Sequence, residues 1–171
     1  METLLFHRTA SPAGPLFLAA STKGLVRLEF ESRIQPVDSK DVQLRESKEA
    51  LAPWLRELDE YFAGQRREFS FPLDLRGTDF QLQCWRALLD IPYGKTRTYA
   101  EIARAIGHPH AFRAVGMSNN RNPIAIVVPC HRVIASDGSL CGYGGGLEVK
   151  RKLLDLEQAE IGACLPLEMG A

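Results

Sequence analysis

Apolar positions follow one rhythm in the first seventy-odd residues and another in the rest of the chain. His7 to Thr9, Leu16 to Ala20 and Leu25 to Phe30 are short runs separated by Ser11-Pro12-Ala13-Gly14-Pro15 and by Thr22-Lys23-Gly24, which predicts strands joined by turns. A polar stretch from Glu31 to Asp41 predicts a loop. Leu44, Leu51, Trp54, Leu55, Leu58, Tyr61 and Phe62 then recur at helical spacing and stop at Gly64, a suitable residue just past a helix end. Pro53 interrupts the pattern, so it marks either the first turn of the main helix or a kink in a longer one. Phe69 to Leu75 predicts one more strand, with Asp74 to Thr78 as a connection.

The second half reads mostly as helices. Thr78 with Gln81 three residues on has the capping-box pattern, and Phe80, Cys84, Trp85, Leu88 and Leu89 form the inner face of the helix that follows. Ile91-Pro92-Tyr93-Gly94 breaks the chain. Thr98 with Glu101 caps the next helix; Ile102, Ala103 and Ile106 face inward, and Gly107 ends it. After His108-Pro109 a second short helix runs from about His110 to Ser118, so the pair has the outline of a helix-turn-helix. Ile124 to Val128 is an apolar, mostly β-branched run that reads as a buried extended segment, ended by Pro129, which has no N–H to donate. Val133 to Ala135 and Leu140 flank Ser136-Asp137-Gly138-Ser139, which predicts a hairpin. A last helix, Leu147 to Glu157, places Glu157 on the apolar side of Leu153 and Leu154. These elements predict an α+β fold in two domains: a small N-terminal α/β domain over 1–76, a mostly helical domain over 77–160, and a tail over 161–171.

Net charge is zero, but it is unevenly spread. From Gly94 to Arg132, six basic residues (Lys95, Arg97, Arg104, Arg113, Arg121, Arg132) face the single acid Glu101, while both flanking regions are net negative. That concentration is where a polyanion would dock. No apolar run approaches the roughly 18 residues of a membrane span. No basic stretch followed by a long apolar core opens the chain, so the expected location is cytoplasmic, or nuclear in a eukaryote. Cys84, Cys130, Cys141 and Cys164 lack metal-ligand spacing, and neither a metal, a cofactor nor a disulfide framework is expected.

The chemistry is concentrated at Cys130-His131-Arg132. A thiol beside an imidazole that could take its proton, and a cation that favours its thiolate, is the setting of a nucleophilic cysteine. A free cysteine otherwise most often just packs.

The words Pro129-Cys130-His131-Arg132-Val133-Ile134, Asn122-Pro123 upstream, and Gly142-Tyr143-Gly144-Gly145-Gly146 with Leu153-Leu154 and Glu157 downstream resemble the O6-alkylguanine-DNA alkyltransferases. The likeness is continuous from Gly77 to Glu157 and looser before it. It implies a ribonuclease H-like N-terminal domain and an active C-terminal one. It also implies direct-reversal repair: a single-turnover cysteine S-methyltransferase moves the alkyl group from O6 of a flipped-out guanine to Cys130. O4-alkylthymine is left open as a second substrate. In that likeness Glu157 orients His131, which takes the thiol proton through a water. Tyr99 helps rotate the nucleotide out and donates to its ring, and Asn122 braces the site.

The second short helix would enter the minor groove, with Ala111 and Ala114 allowing close approach, Arg113 filling the gap left by the base, and Arg132 also on the DNA-binding side. Pro129, Tyr143, Gly144 and Gly145 would wall the base pocket. The expected partner is double-stranded DNA carrying O6-alkylguanine, bound by a monomer away from any membrane. Phe112 departs from the small residue usual in the family and is either a wedge against DNA or a core contact. Gly144 departs from the usual Ser or Ala. A helix-turn-helix regulator would share the basic helices but would have no need of Glu157.

Overall fold

The computed structural model describes residues 1–36 and 40–161, so the expected tail lies outside them except for Ile161. The chain divides into two compact units after Arg76. In the first unit, β1 (Glu2–Thr9), β2 (Leu16–Ala20), β3 (Leu25–Phe30) and β4 (Val42–Glu46) form one sheet in the order β3-β2-β1-β4. β1 is antiparallel to β2 and parallel to β4. Every residue of β2 is buried, as its position inside the sheet requires. Leu4, Phe17, Ala19 and Val26 cluster together, with Phe6, Ile34 and Val42 packed at their margin. α1 (Lys48–Phe62) packs on β1 and β2 and contributes Leu51, Leu58 and Tyr61, each of which stabilises by roughly 1.5–3 kcal/mol when fully buried.

Two expectations for this unit change, and a third is narrowed. Leu44 belongs to β4, not to the helix; Val42–Glu46 is mostly exposed at the sheet edge, and backbone pairing to β1 forms it without a strong apolar signal. Phe69 to Leu75 is not a strand: only Leu73 bridges to Leu25, because Pro72 interrupts the ladder. Buried Glu57 fixes that segment instead, accepting from the N–H and hydroxyl of Ser70. Pro53 lies inside α1 beyond its first turn, so the first-turn alternative falls; the helix ends at Phe62, with Ala63 its C-cap and Gly64 at φ 75° just past it.

The second unit begins with α2 (Asp79–Leu89), whose capping box of Thr78 and Gln81 is formed as expected. Cys84, Trp85 and Leu88 are buried, whereas Leu89 points outward at 41% exposure. β5 (Arg97–Thr98) leads into α3 (Tyr99–Ala105), capped by Thr98 and Glu101. Gly107, at φ 82°, turns the chain towards α4 (Phe112–Asn120). The Trp85 indole N–H donates to the Ser118 carbonyl (2.9 Å), tying α2 to α4. β6 (Val133–Ile134) pairs in parallel with β5, so the expected hairpin is replaced. The Asp137-Gly138 turn does close, by Gly138 N–H to the Ala135 carbonyl, but no strand pair flanks it. α5 (Leu147–Ile161) completes the described chain. Among the described residues no helix is long and apolar enough to cross a membrane.

Candidate active site

Ile124 to Val128 is buried as expected but not extended. Val127 N–H donates to the Ala125 carbonyl (2.8 Å) and Val128 N–H to the Ile124 carbonyl (3.0 Å), with Ile126 between them at φ 72°. A β-branched residue at positive φ is a strained conformation that the surroundings must hold in place. Asn122 does the holding. Its side-chain oxygen accepts from Ile124 N–H (3.0 Å) and its Nδ2 donates to the Val128 carbonyl (2.7 Å), clamping both ends of the loop. The same Nδ2 lies 3.1 Å from Cys130 Sγ and donates to it.

Pro129, at φ −81° and ψ 64°, makes one more tight turn, closed by Cys130 N–H to the Val128 carbonyl (2.8 Å). Cys130–Arg132 is then a single 3-10 turn, all of it buried. His131 Nε2 donates to Glu157 Oε2 (2.7 Å), and Arg132 donates to the same carboxylate through Nε (2.8 Å) and Nη2 (3.1 Å). Arg132 Nη1 reaches the Ile91 carbonyl (2.7 Å) and its guanidinium lies over the Tyr93 ring. Arg132, expected on the DNA-binding side, is therefore spent inside the protein: at 7% exposure its charge compensates Glu157.

Protonation follows from this geometry. Burial pushes the His131 imidazole down against the pull of Glu157, so it rests neutral. Burial would push Glu157 up, but the hydrogen bonds from His131 and Arg132, together with the Arg132 charge, hold it down and keep the carboxylate ionised. An ionised acceptor at Nε2 leaves the proton there, and Nδ1 is buried with no hydrogen-bond partner among the described residues. The imidazole thus keeps one free lone pair, the state needed to take a proton. The sequence predicts a thiol with lowered pKa; in the structure burial instead pushes Cys130 up, with Asn122, Lys150 and nearby backbone N–H groups opposing it only in part. The resting sulfur is a thiol.

Lys150 was not expected here. Fully buried on α5, its ammonium donates to the carbonyls of Val133 (2.6 Å), Cys141 (3.1 Å) and Gly142 (3.5 Å), fixing the start of the glycine loop to β6. The signal was available: Lys150, Leu153, Leu154 and Glu157 stand at i, i+3, i+4 and i+7, one helix face. The Tyr99 hydroxyl donates to the Cys141 carbonyl (2.9 Å), and burial pushes its pKa far up, so it stays a proton donor. Its ring rests against Gly116 of α4. Tyr143 is buried, with Cys130 and Glu157 close enough to push its hydroxyl up further. Gly144 and Gly145 are half-buried, and a Cβ at Gly144 would meet nothing within 4 Å.

Cys130, His131, Glu157, Asn122, Tyr99, Pro129 and Tyr143 are thus gathered in one region of the second unit. Arg113 is exposed on α4, and Ala111 and Ala114 are half-buried at its start. Among the described residues no cluster of His, Cys, Asp or Glu could hold a metal ion.

Residues 4–75 match the family model of the 6-O-methylguanine DNA methyltransferase ribonuclease-like domain, and residues 79–159 that of its DNA-binding domain. The chain is similar to the methylated-DNA–protein-cysteine methyltransferase of Methanosarcina barkeri, with 51% identity over 86% of this chain and 93% of that one. It is 48% identical to the protein of that name from Mycobacterium tuberculosis, over 96% and 99% of the two chains. The crystal structure of M. tuberculosis OGT in complex with DNA superposes with a TM-score of 0.83 at 44% identity, covering 97% of this chain and 98% of that one.

Proposed function

Because this chain belongs to the 6-O-methylguanine DNA methyltransferase family, we propose that the centre around Cys130 removes alkyl groups from O6 of guanine in duplex DNA and keeps them. The activity is direct-reversal repair, that of a methylated-DNA–protein-cysteine S-methyltransferase, and duplex DNA is the partner. The observation that carries the reading is the chain of contacts at the sulfur: Asn122 Nδ2 on Cys130 Sγ, with His131 next in sequence held to an ionised Glu157.

His131 Nδ1 takes the thiol proton through a bridging water. The sulfur lone pair forms a bond to the alkyl carbon as the carbon–O6 bond breaks, and the electrons pass into the purine. The Tyr99 hydroxyl protonates the leaving base and recovers its proton through solvent, so the thiol proton is in effect exchanged for the alkyl group. The thioether has no carbonyl for water to attack and no leaving group, so each chain acts once.

A base inside a stack cannot reach the sulfur of a cysteine only 7% exposed, so the nucleotide must swing out, at a cost of a few kcal/mol. Arg113, exposed on α4, fills the vacated position, Ala111 and Ala114 let the helix approach, and the loop of Tyr143, Gly144 and Gly145 with Pro129 receives the base. The protein acts as a monomer in the cytoplasm. Digestion to nucleosides of a duplex carrying one O6-methylguanine, after incubation with the protein, tests the reading: guanine should return to a plateau of one per chain. Turnover beyond one, or no loss of O6-methylguanine, contradicts it.

A further inference from the structure

Among the described residues Phe112 is the most exposed aromatic side chain, at 47%. It is the first residue of α4, directly before Arg113, so it is not the core contact that its sequence also allowed. Val115, Ser118 and Asn119 anchor α4 on its buried side. Phe112, Arg113 and Met117, the last 60% exposed, lie outside that anchor. A single large apolar residue on a surface needs no explanation. Here two flank a guanidinium, on a stretch whose other exposed charges are Lys95, Arg97, Arg104 and Arg121 against the single acid Glu101.

That combination fits a partner whose outside is anionic and whose inside is flat and apolar, which describes a base-paired duplex. Ala111 makes no side-chain cap hydrogen bond to α4, and the first-turn N–H groups of a helix favour an anion such as a phosphate.

We propose that Phe112 is an apolar wedge that enters the duplex beside Arg113 and opens the base step next to the extruded nucleotide. This rests on the repair reading and deepens it: Arg113 substitutes for the missing base, and Phe112 separates that gap from its stacked neighbour. Proteins that kink DNA insert apolar side chains in this manner, and the unstacking is offset by the surface they bury.

The test compares Phe112→Ala with wild type on O6-methylguanine in a duplex and in the same single strand, at protein concentrations below saturation. Phe112→Ala should slow methyl transfer from the duplex by about 5- to 150-fold, the range that one base stacked on an aromatic ring is worth. The loss should vanish on the single strand, which has no stack to open, and Phe112→Leu should recover most of the duplex rate. In a Cys130→Ser background, 2-aminopurine next to the lesion should brighten on binding, and Phe112→Ala should abolish the brightening. Equal duplex rates for wild type and Phe112→Ala, or a loss that is the same on both substrates, overturn the wedge. A wild-type chain that takes no methyl from either substrate overturns the repair reading beneath it.

Discussion

At Cys130 two effects oppose each other. Burial favours the thiol, while Asn122, the buried ammonium of Lys150 and backbone N–H groups favour the thiolate, and burial wins at rest. The nucleophile is therefore made on demand, when His131 takes the proton, which keeps a sheltered sulfur from being spent on other electrophiles. Lys150→Met removes a positive charge close to the sulfur, so the pH profile of Cys130 alkylation by iodoacetamide should move to higher pH; an unmoved profile contradicts that role. Glu157→Gln leaves the buried Arg132 guanidinium without its counter-charge and should cost about 3–5 kcal/mol in urea unfolding. Burial holds the folded His131 below the ordinary imidazole value of 6.5, so as pH falls through that value the unfolded chain takes up a proton that the folded one refuses. Glu157, also held down when folded, adds loss of the same sign below 4.5. The midpoint of thermal unfolding should fall between pH 7 and 5, and a flat profile would exclude a neutral buried His131.

The elements differ in how plainly their sequence announces them. Thr78 and Thr98 with their partners Gln81 and Glu101 were legible because a capping box is a local contract between a hydroxyl and nearby N–H groups. Thr98→Ala should therefore destabilise the protein by about 1 kcal/mol in chemical unfolding. Ile124 to Val128 was not legible: a buried β-branched run has the same composition whether it extends or winds into tight turns. What decides is a side chain outside the run, Asn122, which closes it at both ends. β4 was hidden for the opposite reason, since it gains its pairing from β1 and buries little. Arg132 misled because charge in a sequence does not declare which guanidinium is needed inside to neutralise a distant carboxylate. On α4, Arg113→Ala should slow repair of the duplex far more than of the single strand; equal losses would remove its role in holding the nucleotide out.

Over the whole chain, the residues of the site belong to the second unit, and the sheet of the first contributes none of them. Charge has the same asymmetry, with the basic stretch in the half that holds the thiol. Both domains were readable, the second through its words around Cys130 and the first through its spacing of strands and one helix. The partnership of Lys150 with the glycine loop depends on carbonyls from two separate segments, Val133 in β6 and the adjacent Cys141 and Gly142, which no local pattern contains.

The central claim is that the sulfur of Cys130 accepts the alkyl group and retains it. The most direct measurement is the mass of the intact protein after incubation with a duplex containing O6-methylguanine, followed by peptide mapping. The account predicts one methyl in place of one hydrogen, located on Cys130, persistent on long incubation and absent from Cys130→Ser. A methyl on another residue, such as the exposed Cys141, or an unchanged mass, would contradict it.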